Sequence, residues 1–179
     1  MITGKKVLLR PPRREDIESW LVWMNDPEIT RFLCNRAIYG YTRKQEEEFY
    51  ESIQNPGRSD AVFSADTLDG LHIGSVGLHA INWEWRKAEL GILIGRKDLW
   101  NKGYCREMMQ LAVRFAFDRM NLHRVYLYVS CRNTGGIKCY ERVGFKREGI
   151  LRQSRYYDGE YSDDLVMGIL KGELLTDED

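Results

Sequence analysis

The stretch WNKGYCREMMQLAVRFAFDRM, residues 100–120, places a glycine-containing turn directly before an amphipathic helix. The apolar residues that recur at helical spacing are Met108, Leu111, Ala112 and Phe115. The first N–H groups of a helix are unpaired and carry a partial positive charge, so this turn can hold a phosphate. Gly103 allows close approach of the backbone, and Lys102 and Arg106 add charge. By itself the turn is a weak signal, because many helices follow a glycine.

Alternating patterns predict strands and helices on both sides of this turn. The predicted strands are Lys6–Arg10, Ala61–Asp66, Ile73–His79, Ala88–Ile94, Val125–Ser130, Phe145–Arg152 and Asp164–Leu170. Further helices are predicted after Pro12 and ending at Asp26-Pro27, from a capping box at Thr42 toward Gln54, and over Asn133–Val143. This order predicts an α+β fold around one twisted sheet. No repeat or linker interrupts it, so residues 1–179 are expected to form a single domain.

Composition narrows the classes of function. The 27 basic and 27 acidic residues cancel, which argues against general binding to nucleic acids or anionic membranes. No apolar run is long enough for a signal peptide or a membrane span, so a cytoplasmic protein is expected. The four cysteines have no CxxC spacing and the three histidines do not cluster near them, so no metal site is expected; the cysteines are Cys34, Cys105, Cys131 and Cys139.

A second informative segment is NTGGIKCYERVGF, residues 133–145. Taken alone, it predicts a short helix with Ile137 and Tyr140 in the core and Gly144 as its C-terminal cap. Together, the two segments resemble the GCN5-related N-acetyltransferase (GNAT) superfamily, and most closely its branch of ribosomal-protein alanine N-acetyltransferases. The resemblance covers nearly the whole chain, through LRPPRREDIESWLVWMNDPEI, AELGILIG, the glycine turn, NLHRVYLYV, residues 133–145 and EGILRQSRYYDGEYSDDLVMGIL.

The resemblance implies a mostly antiparallel sheet, two splayed central strands and helices on both faces. It implies acetyl-CoA as co-substrate, no metal, and compatibility with a homodimer. In relatives the coenzyme diphosphate lies on the amides of the glycine turn, which here gives Lys102, Gly103, Tyr104, Cys105 and Arg106. The sequence departs from the family pattern in having Trp100 for Gln or Arg and Cys105 for Gly or Ala.

Other cofactor contacts are implied at the splayed strands. The pantetheine arm pairs with backbone groups that correspond to Ile92, Leu93 and Ile94, and the second splayed strand corresponds to Val125–Ser130. Unpaired main-chain groups at a bulge make this pairing physically reasonable. Asn133 matches an asparagine beside the cofactor and the substrate. The family serine two residues after the position of Thr134 is replaced by Gly136.

Two residues are predicted to be catalytic. Tyr140 matches a family tyrosine near the thioester sulfur, where a phenol can donate to the departing thiolate; a packed aromatic residue is the alternative. Strand alternation puts Glu89 on one face with Gly91, which favours a general base on the strand that should bind the cofactor. The alternative for Glu89 is a structural ion pair with Arg86 or Arg124.

The expected reaction is direct transfer of an acetyl group to a primary amine in a ternary complex. A protein N-terminal α-amine is the first expectation, because its pKa near 8 leaves a useful neutral fraction. The alternatives are a small-molecule amine, such as a polyamine, an amino sugar or an aminoglycoside-like antibiotic, and a non-catalytic module that binds acyl-CoA.

Overall fold

The computed structural model of the protein describes residues 1–33, 40–54, 59–157 and 159–175, without the side chain of Tyr157; Cys34 lies outside these ranges. The strands are β1 (Ile2–Thr3), β2 (Val7–Arg10), β3 (Ala61–Thr67), β4 (His72–Asn82), β5 (Lys87–Ile94), β6 (Arg124–Ser130), β7 (Lys146–Tyr157) and β8 (Glu160–Leu170). The helices are α1 (Asp16–Met24), α2 (Pro27–Thr30), α3 (Arg43–Ile53), α4 (Tyr104–Asp118) and α5 (Thr134–Glu141), and Lys97–Leu99 forms a 3-10 turn.

The strands form one sheet in the order β1-β2-β3-β4-β5-β6-β8-β7. Among the described residues, β5 and β6 are the parallel neighbours, and the other neighbouring strands run antiparallel. The expected mostly antiparallel sheet is therefore confirmed. The parallel step between β5 and β6 is bridged by α4, as parallel neighbours require a long crossover.

Helices cover both faces of the sheet. Ile92 and Ile94 pack against the large core that includes α4, whereas Leu93 packs against a smaller cluster around Trp20 and Trp23 of α1. Because alternate residues of a strand point to opposite faces, α4 and α1 must lie on opposite sides of β5. This arrangement confirms the predicted helices on both faces.

The sequence did not predict β1 or α2. Asp26-Pro27 was expected to end a helix, and α1 does end at Met24. However, the Asp26 side chain also accepts hydrogen bonds from the N–H groups of Glu28 and Ile29, and so caps a new short helix. Proline at the first helical position supports this second helix, because its missing N–H would be unpaired there anyway.

The C-terminal hairpin is longer than predicted. Phe145–Arg152 and Asp164–Leu170 were expected, but β7 continues to Tyr157 and β8 begins at Glu160. Between Leu151 and Arg155 the register of β7 shifts, and Gln153 has a positive φ of 51°. The bulge breaks the simple alternation from which the strand end was predicted.

A buried polar network attaches α1 to the sheet. Arg10 of β2 donates to both oxygens of Asp16 at 2.8 Å and pairs with Asp66 of β3. Ser64 and the Arg13 N–H also donate to Asp16. Burial opposes ionisation of Asp16, but these hydrogen bonds prevail and lower its pKa to about 2. The network fixes the start of the helix that leads into one wall of the site described next.

Candidate active site

The two central strands separate in the middle of the sheet. β5 and β6 pair only at Lys87 with Arg124, Ala88 with Val125, and Glu89 with Tyr126. Beyond Glu89 the strands diverge, as expected for a splayed pair. The described ladder irregularity beside this point lies in β4, between His79 and Asn82, rather than in either splayed strand.

A cavity of about 1320 Å³ opens at the splay. It runs from the α4–α5 side of the sheet to the α1–α3 side. The structure brings every predicted site residue to its wall: Glu89, Ile92, Leu93, Ile94, Lys102, Gly103, Tyr104, Cys105, Arg106, Asn133 and Tyr140.

At the freed edge of β5, the main-chain N–H and C=O groups of every second residue point toward the splay. Gly95 N–H donates to Ile73 O at 2.9 Å, so the ladder with β4 uses the main-chain groups of Gly95, Leu93 and Gly91. Ile92 and Ile94 therefore direct their main-chain groups toward the splay. Leu93 was predicted to share this role, but its N–H and C=O belong to the ladder with β4 and only its side chain reaches the cavity.

Trp100 connects the glycine turn to this edge. Its indole Nε1 donates to the carbonyl oxygen of Ile94 at 3.0 Å. The family pattern has a Gln or Arg at this position, whose side chain is polar; here the indole hydrogen bond holds the turn to the protein's own main chain instead. The turn is thereby held against the end of β5.

The N-terminus of α4 is prepared to accept an anion. Gly103 is its N-cap residue, with a φ of 87°, and no side chain caps the helix. The Lys102 carbonyl accepts a hydrogen bond from Lys6 Nζ at 3.1 Å, which brings another cation to the turn. Because the first N–H groups of the helix lack intrahelical acceptors, they are available to a phosphate.

Basic residues of α5 extend this positive region. Lys138 and Arg142 line the cavity together with Lys102 and Arg106. Sequence reasoning missed Lys138 and Arg142, although their i,i+4 spacing on the predicted helix signals a shared face. A diphosphate would meet cations from both α4 and α5.

Asn133 caps α5, and its Oδ1 accepts from the Gly136 N–H at 2.9 Å. A Cβ at position 136 would lie 2.6 Å from Asn133 Nδ2, so the side chain of Asn133 occupies the space left by the missing serine. Asn133 Nδ2 donates to no described residue and lies at the cavity wall.

Tyr140 is buried on α5, and its ring packs near Phe145 at a centroid distance of 6.4 Å. Burial, with smaller contributions from Cys105 and Cys139, raises the pKa of Tyr140 well above its usual range. Its hydroxyl makes no hydrogen bond with any residue that the structure describes. The phenol is thus a protonated donor that faces the cavity without a partner of its own.

Glu89 lies where β5 and β6 part. Burial raises the pKa of its carboxyl, and the nearby His79 opposes this shift. The structure does not show the alternative for Glu89, an ion pair with Arg86 or Arg124: Arg86 donates to Asn121 at 2.7 and 2.8 Å, and Arg124 pairs with Glu148. Within the described chain, the Glu89 carboxylate forms no hydrogen bond or ion pair. A carboxylate with a raised pKa and no hydrogen-bond partner among the described residues is suited to receive a proton.

The opposite end of the cavity has a largely apolar wall. It is built from side chains of α1, α2, α3, β5 and β7 and from the residues after α2: Met24, Ile29, Phe32, Leu33, Phe49, Leu93 and Leu151. Sequence reasoning did not assign this wall, because its members come from separate elements whose packing no local pattern reveals.

Within the described residues, no helix is long and apolar enough to cross a membrane. The same residues contain no group of three or more histidine, cysteine or acidic side chains arranged to hold a metal ion.

Comparison with known proteins matches residues 6–146 to the acetyltransferase (GNAT) domain. The structure of the spermidine N-acetyltransferase of Vibrio cholerae in complex with CoA and spermine superposes with a TM-score of 0.88 at 27% identity, covering 95% of this chain and 98% of that one. The spermidine N(1)-acetyltransferase of Escherichia coli K12 is 27% identical over 177 residues, 99% of this chain and 92% of its own length. The protein YdaF of Bacillus subtilis, provisionally named a ribosomal N-acetyltransferase, is 31% identical over 105 residues, 59% of this chain and 57% of its own length.

Proposed function

The chain belongs to the GNAT acetyltransferase family, and we propose that it transfers the acetyl group of acetyl-CoA directly to the primary amine of a small molecule. The observation that carries this proposal is the arrangement at the splay. A phenol and a carboxylate that have no hydrogen-bond partner among the described residues line one cavity, between the N-terminus of α4 and an apolar wall. The named activities of the two spermidine acetyltransferases support a small molecule rather than a protein as acceptor.

Acetyl-CoA would lie across the α4–α5 side of the cavity. The free N–H groups after Gly103 and the cations Lys102 and Lys138 fit its diphosphate. The main-chain groups of Ile92 and the N–H of Ile94 fit the amides of the pantetheine arm, as an added strand fits a free sheet edge, whereas the Ile94 carbonyl already accepts from Trp100. Bound acetyl-CoA supplies the thioester that is cleaved.

The amine must lose a proton before it attacks. Glu89, whose pKa is raised by burial, accepts a proton from the incoming ammonium, directly or through a water. The new C–N bond forms as the C–S bond breaks, and the sulfur leaves as a thiolate. The second proton that the nitrogen loses passes to this thiolate, directly or through solvent, and gives the free thiol of CoA. The Tyr140 hydroxyl donates a hydrogen bond to this sulfur. Because a thiol is more acidic than this buried phenol, stabilisation by the hydrogen bond matters more than complete proton transfer.

Polyamines are the first small molecules to assay, because spermidine and spermine are named with these relatives. A protein N-terminal α-amine is the second candidate. The provisional name of YdaF supports it, over a smaller part of the chain.

The decisive experiment measures free thiol released from acetyl-CoA with three sets of acceptors: polyamines, small monoamines and short peptides with a free N-terminus. Acetylation of small amines well above peptides supports the proposal. Acetylation of peptides alone replaces the small molecule by a protein. No acetylation of any acceptor, with folded protein that binds acetyl-CoA, refutes the proposed transfer.

A further inference from the structure

The end of the cavity that has the apolar wall, called the acceptor end below, is exposed to solvent. Phe49 of α3, Tyr128 of β6 and Leu151 of β7 are 40%, 42% and 43% exposed, yet all three line the cavity. Large apolar side chains that stay exposed around a cavity are typical of a ligand-binding surface. An apolar part of a substrate would cover them.

Most carboxylates near this end already have cationic partners. Lys97 Nζ lies 2.8 Å from Asp26 and 2.8 Å from Glu28, so one lysine holds both acids. Asp164 pairs with Arg155, which also donates to the main-chain oxygens of Phe32 and Leu33 at 3.0 and 2.8 Å. Each of these carboxylates therefore already contacts a cation, which a cationic ligand would have to share or displace.

Glu89 is the exception among the described acids of the cavity wall, since it has neither an ion pair nor a hydrogen bond. Glu46 of α3 is also buried and unpartnered, but it does not belong to the wall. Arg31, which lies 4.6 Å from the centre of the Phe32 ring, adds positive charge at the same end.

We infer that the preferred acceptor carries one primary ammonium group on an apolar body, either aromatic or branched aliphatic. This inference rests on the proposed function and names the acceptor class for the same site. Glu89 receives the single ammonium, and the wall formed by Phe49, Leu93 and Leu151 covers the apolar body. A second or third ammonium, as in spermidine, would lie against apolar side chains or near Arg155, and the carboxylates there, Glu28 and Asp164, already contact Lys97 and Arg155.

The test compares kcat/KM for 2-phenylethylamine and 3-methylbutylamine with kcat/KM for spermidine and putrescine, at equal ionic strength. We expect the monoamines to exceed the polyamines at least tenfold. Polyamines that match or exceed the monoamines overturn this inference while the proposed transfer to small amines stands. Acetylation of peptides alone, or of nothing, overturns the proposed function and the inference with it.

A charge variant tests the same inference from the other direction. Phe49→Glu adds a carboxylate to the wall and removes an apolar contact, so the ratio of monoamine to spermidine kcat/KM should fall at least fivefold. Val22→Glu is the matched control, because Val22 is exposed on α1 and does not line the cavity. Equal ratios in Phe49→Glu, Val22→Glu and the unmodified protein would overturn the inferred role of the wall, provided that all three unfold at similar temperatures.

Discussion

Replacing Tyr140 with phenylalanine isolates the contribution of one hydroxyl group. In the absence of ligands this hydroxyl has no hydrogen-bond partner among the described residues, so its removal leaves no protein group unsatisfied. The ring and its contact with Phe145 remain, so stability should be unchanged or slightly higher. In the proposed reaction, the same hydroxyl donates to a developing thiolate. A hydrogen bond to a charged group contributes about 1.5–3 kcal/mol, which corresponds to a loss of roughly 10- to 150-fold in kcat.

The assay measures thiol release at saturating amine, with acetyl-CoA affinity from calorimetry and stability from thermal unfolding. Only kcat should fall, because the diphosphate and pantetheine contacts lie elsewhere. Tyr156→Phe is the matched control, since Tyr156 is a half-exposed tyrosine of the hairpin that does not line the cavity. A kcat within twofold of the unmodified protein, with folding and affinity intact, would show that Tyr140 is only a packed aromatic residue.

Three further changes probe the base, the cofactor turn and the buried network. Burial raises the pKa of Glu89, so kcat/KM should fall as the pH drops through that raised pKa. Glu89→Gln should abolish this acidic limb of the pH profile, whereas Glu84→Gln on the exposed β4–β5 turn should retain it. Identical pH profiles for both variants would exclude a base role. Gly103→Val should weaken acetyl-CoA binding at least tenfold, as measured by calorimetry. Gly70→Val is the control: at a similar positive φ of 91° in an open turn, it should cause comparable backbone strain but leave the affinity for acetyl-CoA normal. Equal affinity in both variants would argue against diphosphate binding at α4. The depressed pKa of Asp16, about 2 in the folded protein against 3.8 ordinarily, contributes about 2 kcal/mol of stability that is present above pH 4 and is lost as pH falls toward 2, and urea unfolding from pH 5 to 2 should show this loss. Asp16→Asn should be destabilised by about 3–5 kcal/mol at pH 7 and should depend less on acid. Glu18→Gln, in an exposed pair, is the control and should behave like the unmodified protein.

The part of the cavity around the glycine turn and β5 could be predicted because it depends on short local patterns. A glycine before a helix, two neighbouring cations and an apolar strand each occupy fewer than ten consecutive residues, and the structure brings them to one cavity. The face of Glu89 also followed correctly from strand alternation, since period-two geometry does not depend on distant contacts. In contrast, which main-chain groups of β5 remain free depends on the ladder with β4, and so Leu93 could not be separated from Ile92 and Ile94 by sequence.

The acceptor half could not be predicted, because it depends on contacts between distant segments. Arg155 and Phe32 are more than a hundred positions apart, yet a hydrogen bond joins them at the cavity wall. Likewise, the alternative in which Glu89 pairs with an arginine was reasonable until the partners were seen. Arg124 faces Glu148 of β7, and Arg86 reaches the loop after α4, and neither contact leaves a mark in the local sequence.

The unpaired state of Glu89 follows from its position at the last rung of the β5–β6 ladder. One residue earlier, Ala88 lies opposite Val125 and is fully buried. An ionised carboxylate at that position would be fully desolvated, at a large cost in free energy. One residue later, Leu90 lies on the other face, toward the large core around α4. Position 89 is the last one that pairs with β6 and places its side chain on the face of α1, beside the opening that the splay creates, where burial raises the pKa of the carboxyl. The strand separation that frees the edge proposed to bind the coenzyme therefore also provides the place where, in the proposed reaction, a carboxylate meets an amine.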